Sequence, residues 1–360
     1  MTWTVNETTT NQMADDWNDL NSGFNAFYAK QPPANMGWDE VNYPLPTAIS
    51  IGGKAFCDRK PEDYIDPSTF PNILYVDKDA GGAGDGSSWA NAFTSITAAL
   101  NAVEASGIAT RILVMGGKNY TLSTGATSSG NITYMTTGYS IEGVHGRVLC
   151  TASSLRTWTL SAGTTNVYEA GLTSAIRAYD IESDTILESV GSIAECDDTQ
   201  GSMYTDGSIT YVHHKTSAVV DDDNTQVFRN VPCFAVGGTA KAYIRNIDAR
   251  GGAGSAFRSN CNPSLVAPTE QEGWIIFDNC TAKYSMGGSF ASVSNTNGFW
   301  QFDMRFVGYF NCSTDYTTSD GFNMTAGTLS VAPHVLAVNN QSYRGGVSAS
   351  GFGVYLVGSL

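Results

Sequence analysis

A unit of about thirty residues recurs four times in the last third of this chain, and that recurrence limits the fold more than any other feature. Ile244-Arg-Asn246-Ile-Asp248-Ala249-Arg250 runs on to Phe257. Phe277-Asp-Asn279-Cys280-Thr-Ala282-Lys283 begins 33 residues later and runs on to Phe290. Tyr309-Phe-Asn311-Cys312-Ser-Thr-Asp315 runs on to Phe322, and Val338-Asn-Asn340-Gln-Ser-Tyr343-Arg344 runs on to Phe352. A unit this short cannot bury a core alone, so its copies must stack on one another.

Each unit holds short β-type segments broken by Gly, Asn and Ser, without a helical period. Asn246, Asn279, Asn311 and Asn340 mark the bend between two strands, because Asn tolerates the left-handed conformation. Stacked copies of the bend let the Asn amides hydrogen-bond along the stack. Alternation after the bend turns Ile247, Cys280 and Cys312 inward with Ala249, Ala282 and Thr314. Gln341 and Tyr343 fit that inner column badly. Arg250, Lys283, Asp315 and Arg344 then form one outward column. The architecture expected from the repeats is all-β, a parallel β-solenoid, with an ordinary β-sandwich of accidental self-similarity as the alternative.

The 360 residues include 38 Gly and only 15% charged side chains, which suits a turn-rich β protein. A net charge of −15 with no basic cluster argues against nucleic-acid binding. No apolar stretch approaches membrane-spanning length. The N-terminus lacks the basic region and apolar core of a secretory signal. Seven cysteines, an odd number without metal-ligand spacing, read as reduced thiols. The run Asp221-Asp222-Asp223 reads as a solvated loop.

Four regions follow along the chain. In residues 1–70, Trp17, Leu20, Phe24 and Phe27 form one amphipathic helix within Asp15–Tyr28, followed by a Pro-rich arm. Residues 71–149 read as a strand at Ile73–Val76, a glycine loop, a helix with Phe93, Ile96, Leu100 and Val103 on one face, a strand at Arg111–Val114, and an early repeat unit at Gly138–Gly143. The glycine loop carries Asp77, Asp79 and Asp85 but matches neither a calcium nor a phosphate loop. Residues 150–227 interrupt with two hairpins, one around Asp206-Gly207. Residues 228–360 hold the repeats. The final segment still reads as strand, so a neighbouring chain covers it or the sequence continues.

The phrase Tyr75-Val-Asp77-Lys-Asp79-Ala followed by Gly-Asp85-Gly-Ser-Ser-Trp89-Ala-Asn-Ala-Phe93 resembles the segment that opens and caps right-handed parallel β-helix proteins of the pectate-lyase-like class. With the repeats, the resemblance covers about two thirds of the chain. Together with acidity, the missing secretory signal and the short N-terminal region, it is similar to the tailspikes and tail fibres of bacteriophages. That resemblance implies a homotrimer made in the host cytoplasm and carried on the virion tail. It implies an N-terminal region docked on tail or baseplate proteins, and a β-helix that binds, and in many cases depolymerises, a host surface polysaccharide. Two other readings fit the same residues: a non-catalytic tail adaptor or stalk, and a free polysaccharide lyase.

Glycoside cleavage needs two carboxyl groups, about 5–5.5 Å apart for retention and about 6.5–9.5 Å for inversion. Asp248 and Asp315 fall about 12 Å apart on strand spacing and rise alone. Asp315 with Asp320, or with Asp278, is the closer pairing, so these three are the candidate catalytic residues. Glu270 and Glu272 lie in a loop able to overhang a groove. Arg250, Lys283, Arg344 and Asp248 are the candidate substrate-binding residues, since a lyase needs cations to neutralise a uronate. Trp274, Trp300, Tyr284 and Tyr316 suit sugar stacking. The four histidines show no metal spacing, and nothing in the sequence calls for a cofactor.

Overall fold

The computed structural model describes residues 48–51, 54–57, 59–120, 133–151, 156–173, 175–229, 232–252, 255–260, 273–285, 287–289, 292–294, 297–317, 320–325, 334–343, 346–350 and 353–357. The expected helix within Asp15–Tyr28, the Pro-rich arm, Glu270, Glu272, Phe290, Arg344 and Phe352 lie outside the described residues.

Strand segments follow one another in groups of three, and each member of a group joins a different parallel sheet. Phe234–Gly238, Lys241–Arg245 and Ile247–Arg250 form one such triplet. Ser255–Asn260, Trp274–Asp278 and Thr281–Lys283 form the next. Asn297–Phe302, Phe306–Phe310 and Ser313–Asp315 follow, then Asp320–Thr325, His334–Val338 and Gln341–Tyr343. An earlier triplet is Thr133–Met135, Tyr139–Val144 and Val148–Thr151. The first members make a six-stranded sheet 1, the second members an eight-stranded sheet 2, and the third members a six-stranded sheet 3. All their pairings are parallel and join one triplet to the next. The chain is thus all-β with parallel sheets.

The register corrects the repeat in two places. Ile244, Phe277 and Tyr309 pair in sequence as expected, but Tyr309 then pairs with Ala337 and not Val338. The left-handed bend is therefore Asn339 (φ 53°), matching Asn246 (57°), Asn279 (51°) and Asn311 (53°). Asn340 falls in the inner column beside Cys312. There it is buried, its Nδ2 donating to the Tyr309 carbonyl at 3.0 Å and its Oδ1 accepting from the Cys312 amide at 2.8 Å. Tyr343, not Arg344, takes the outward place opposite Asp315. Gln341 and Tyr343 point outward, which removes their misfit with the inner column. The second correction concerns phenylalanine: Phe257 pairs with Phe299 and then Phe322. The hairpin of Gly287–Ser289 and Ser292–Ser294 lengthens that connection and breaks the period.

The inward faces of the three sheets share one core. Phe234, Phe257, Phe299 and Phe322 stack at centroid separations of 5.3, 4.6 and 5.0 Å. Each fully buried ring contributes ~1.5–3 kcal/mol from burial, and each pair about 0.5–1.5 kcal/mol more. Cys280 and Cys312 fill the same inner column as buried free thiols, as do Cys150, Cys196 and Cys233 elsewhere. The amide stack at the bend is present: Asn279 Nδ2 donates to Asn246 Oδ1 at 2.7 Å, and Asn246 Nδ2 to the Gly143 carbonyl at 3.0 Å.

At the N-terminal side, helix α1 (Ile96–Ser106) covers the first strands. Ser95 caps it, accepting from the Ala98 amide, and Gly107 ends it at φ 63°. Ile96, Ala99, Leu100 and Val103 are buried, whereas Phe93 lies ahead of the helix and bridges Val76. Residues 61–70 lie across the outer face of sheet 2, where Tyr64 meets Phe306 at 5.4 Å and Phe310 at 5.8 Å. Between Thr151 and Phe234 the strands pair among themselves, largely antiparallel, including the hairpin around Asp206-Gly207. This inserted segment has a small core of its own around Leu172, Met203, Val212 and Val227.

Candidate functional site: a cleft over sheet 3

The inserted segment folds back onto the outer face of sheet 3, and Asp184 is its anchor. Asp184 (φ 51°) sits in the turn between Ala175–Asp180 and Thr185–Ile186. Its Oδ1 accepts from Arg250 Nη1 at 2.6 Å and from the Tyr179 hydroxyl at 2.7 Å. Its Oδ2 accepts from Lys283 Nζ at 2.6 Å, and its carbonyl from the Tyr284 hydroxyl at 2.6 Å. Gly251 permits the close approach: at φ 78°, a Cβ there would meet the Phe228 ring at 2.3 Å.

Beside this anchor lies a cleft of about 720 Å³. Asn119, Leu149, Asp248 and Arg250 of sheet 3 make its floor. Lys78 and Asp79 of the glycine loop form one rim, Ile181 and Asp223 of the inserted segment the other, with Lys118 and Arg147 at the edge. Four cationic side chains thus converge in a protein of net charge −15. Most are held in place by acids: Lys118 by Asp77 and Asp79, Lys78 by Asp223 at 3.0 Å. Arg147 is exposed and donates to the Asn279 carbonyl at 2.9 Å and Thr281 Oγ1 at 2.7 Å.

Asp248 is the chemically unusual member. Its side chain is 13% exposed. Oδ2 accepts from Arg250 Nη2 at 2.7 Å and Nε at 3.2 Å, while the buried Oδ1 has no hydrogen-bond partner. Burial pushes its pKa up to about 6; the nearby Asp184 carboxylate adds to the rise, and Arg147 and Lys283 oppose it. Burial also lowers the pKa of Arg250. A carboxyl that titrates near neutrality can hold or release a proton at working pH. Arg250 grips Asp248 and Asp184 with one guanidinium, so the two carboxyl groups stand on either side of a single fork.

The residues proposed from sequence are distributed as follows. Asp248 and Arg250 enter the cleft; Lys283 sits one triplet away, on Asp184. Asp315, still farther along sheet 3, accepts from the Tyr316 amide at 2.9 Å. Asp320 begins a strand of sheet 1 and accepts from Asn323 at 2.9 Å. Asp278 ends a strand of sheet 2, buried on its outer face against Tyr243 and Arg245 at 2.9 and 3.2 Å. Asp278, Asp315 and Asp320 thus occupy three different sheets. Asp184, Arg147 and Lys118 were not singled out from sequence. The acidic run is not uniformly solvated either: Asp222 accepts from the Arg156 amide and the Trp158 indole, and burial raises its pKa. Asp77 and Asp79 of the glycine loop are engaged by Lys118, and Asp85 accepts from the Ser87 amide. Among the described residues, no cluster of three His, Cys, Asp or Glu side chains is arranged to hold a metal ion, and no helix is long and apolar enough to cross a membrane.

No protein-family model matches the chain, and no curated protein is significantly similar to it.

Proposed function

We propose that this protein is a parallel β-helix of the tailspike type, whose cleft over sheet 3 binds a polysaccharide of a bacterial surface. The observation that carries the binding reading is the cleft itself, which combines cationic and carboxylate side chains in fixed positions between the inserted segment and the repeats. One strand per sheet per repeat supports the β-helix. The phage setting, the homotrimer and attachment through the N-terminal region rest on the resemblance in sequence and on architecture. Binding is tested by immobilising the full chain and passing purified capsular polysaccharides and O-polysaccharides over it. The reading expects at least one to bind, and Arg147→Ala to weaken that binding by about tenfold, the loss of one or two charge-assisted hydrogen bonds.

A second reading, depolymerisation, is favoured by the Asp248 carboxyl raised to about 6 beside Asp184. In it Asp248, on the floor of the cleft, is the group that delivers the proton to the leaving oxygen. Incubation of a bound polysaccharide with the protein then shortens it, and Asp248→Asn lowers the rate of shortening far more than it weakens binding. Unchanged chain length with wild-type protein contradicts cleavage and leaves binding standing. A monomer by light scattering contradicts the tailspike assembly.

A further inference from the structure

An aromatic stack runs out of the inserted segment and along the edge of sheet 3. Phe228 packs on Tyr179 at 5.7 Å, Tyr179 on Tyr284 at 5.5 Å, and Tyr284 on Tyr316 at 5.2 Å. Exposure rises along it, from 1%, 0% and 4% to 39% at Tyr316. Tyr343, one triplet farther on opposite Asp315, is 55% exposed. Tyr284 and Tyr316 hold φ of 58° and 51°. That conformation is costly for an aromatic residue and persists only where packing imposes it. The Tyr284–Tyr316 pair thus stands on a constrained backbone with its rings in contact.

Beside the rings runs a polar column of sheet 3. Thr281, Ser313 and Gln341 are register neighbours on successive triplets. Ser313 Oγ donates to Thr281 Oγ1 at 3.2 Å, and Gln341 accepts from the Tyr343 hydroxyl at 2.7 Å. The strip thus presents ring faces along one side and hydroxyl and amide groups along the other. Beyond Thr281, where Arg147 donates from the cleft edge, its charge is low, since Lys283 is engaged by Asp184 and the next charged position along sheet 3 is the acidic Asp315. A nucleic acid requires cations along such a path. A sugar chain, with apolar ring faces and a rim of hydroxyl groups, matches both sides. The polar column continues from Asp248 in the cleft, which pairs with Thr281.

We propose that this strip is an extension of the glycan site, with Tyr316 and Tyr343 as stacking platforms for sugar rings beyond the cleft and Ser313 and Gln341 as their hydrogen-bonding partners. The proposal rests on the reading of the cleft as a polysaccharide site. It makes affinity depend on chain length.

The test uses the full chain, a bound capsular polysaccharide or O-polysaccharide, and size-fractionated fragments of it, measured by calorimetry. Tyr343→Ala and Tyr316→Ala each weaken binding of long fragments about five- to tenfold, the worth of one aromatic contact. Fragments short enough to fill only the cleft bind both variants as they bind wild type, and Tyr343→Phe retains most of the long-chain affinity. Tyr343 is the more exposed ring, so its variant reports on binding even where Tyr316→Ala disturbs the stack. Long-chain affinity unchanged in both variants overturns the strip while leaving the cleft reading intact. Failure of wild type to bind any of the polysaccharides overturns the cleft reading, and the strip with it.

Discussion

Replacing Asp248 by asparagine isolates the chemistry of the cleft in a way that folding alone can report. On folding, the carboxyl moves from an ordinary 3.8 to about 6, chiefly through burial. Below pH 3.8 the folded and unfolded chains both carry the proton, and ionisation costs nothing. Between 3.8 and about 6 the unfolded chain ionises while the folded one holds its proton, so stability falls as pH rises. Above about 6 the cost is complete. A difference of about 2.2 pH decades at ~1.4 kcal/mol each gives about 3 kcal/mol. The Asp248→Asn variant keeps an amide oxygen for Arg250 and removes the titration. Its own offset, from the changed contacts, does not vary with pH. The stability of Asp248→Asn relative to wild type should therefore climb by about 3 kcal/mol between about pH 4 and about pH 8. The assay is urea unfolding followed by tryptophan fluorescence across that range. Parallel curves for the two proteins would refute the reasoning, because they would show that Asp248 ionises as easily when folded as when unfolded.

Four other outcomes follow from particular contacts. Asn340→Ala removes the acceptor of the buried Cys312 amide and a donor to the Tyr309 carbonyl and should cost about 2 kcal/mol in unfolding experiments, whereas Asn339→Gly should cost little. Phe299→Ala, at the centre of the inner stack, should cost about 4 kcal/mol by the same measurement. Asp184→Ala should release the inserted segment, seen as faster amide exchange in Thr185–Ile186 with exchange in sheet 2 unchanged. Asp278 shares the Tyr243 hydroxyl with Glu62, at 2.9 and 3.2 Å, and one hydroxyl proton cannot serve both acceptors. Burial raises the Asp278 pKa, so the hold on residues 61–70 should weaken as pH rises, and Asp278→Asn should make protection of that segment independent of pH.

The stacking of the repeats was legible because a bend residue and an inward alternation leave a local trace. Asn246, Asn279 and Asn311 each carry both. The slip at the fourth repeat arose where two asparagines adjoin. Either Asn339 or Asn340 satisfies the bend by residue type, and only the burial of the second amide against Cys312 and Tyr309 decides between them. The phenylalanine ladder passes from Phe257 to Phe299 because a hairpin within the connection shifts the period without altering the strands on either side. Asp278 groups with Asp315 on sequence, yet the left-handed corner at Asn279 turns the two onto different sheets. The cleft was the least legible part. Asp184 lies 66 residues from Arg250 and 99 from Lys283, and no periodicity connects an insertion to the surface on which it lands. Arg250 and Lys283 were visible as an outward column, but their engagement by Asp184 was not.

The central claim is that the cleft over sheet 3 is a polysaccharide site, and equilibrium binding of purified bacterial capsular polysaccharides and O-polysaccharides to wild type and Arg147→Ala tests it most directly. Saturable binding of at least one polysaccharide by wild type is expected, with a loss of about tenfold in the variant. Binding of equal strength in both proteins, or none in either, contradicts the claim.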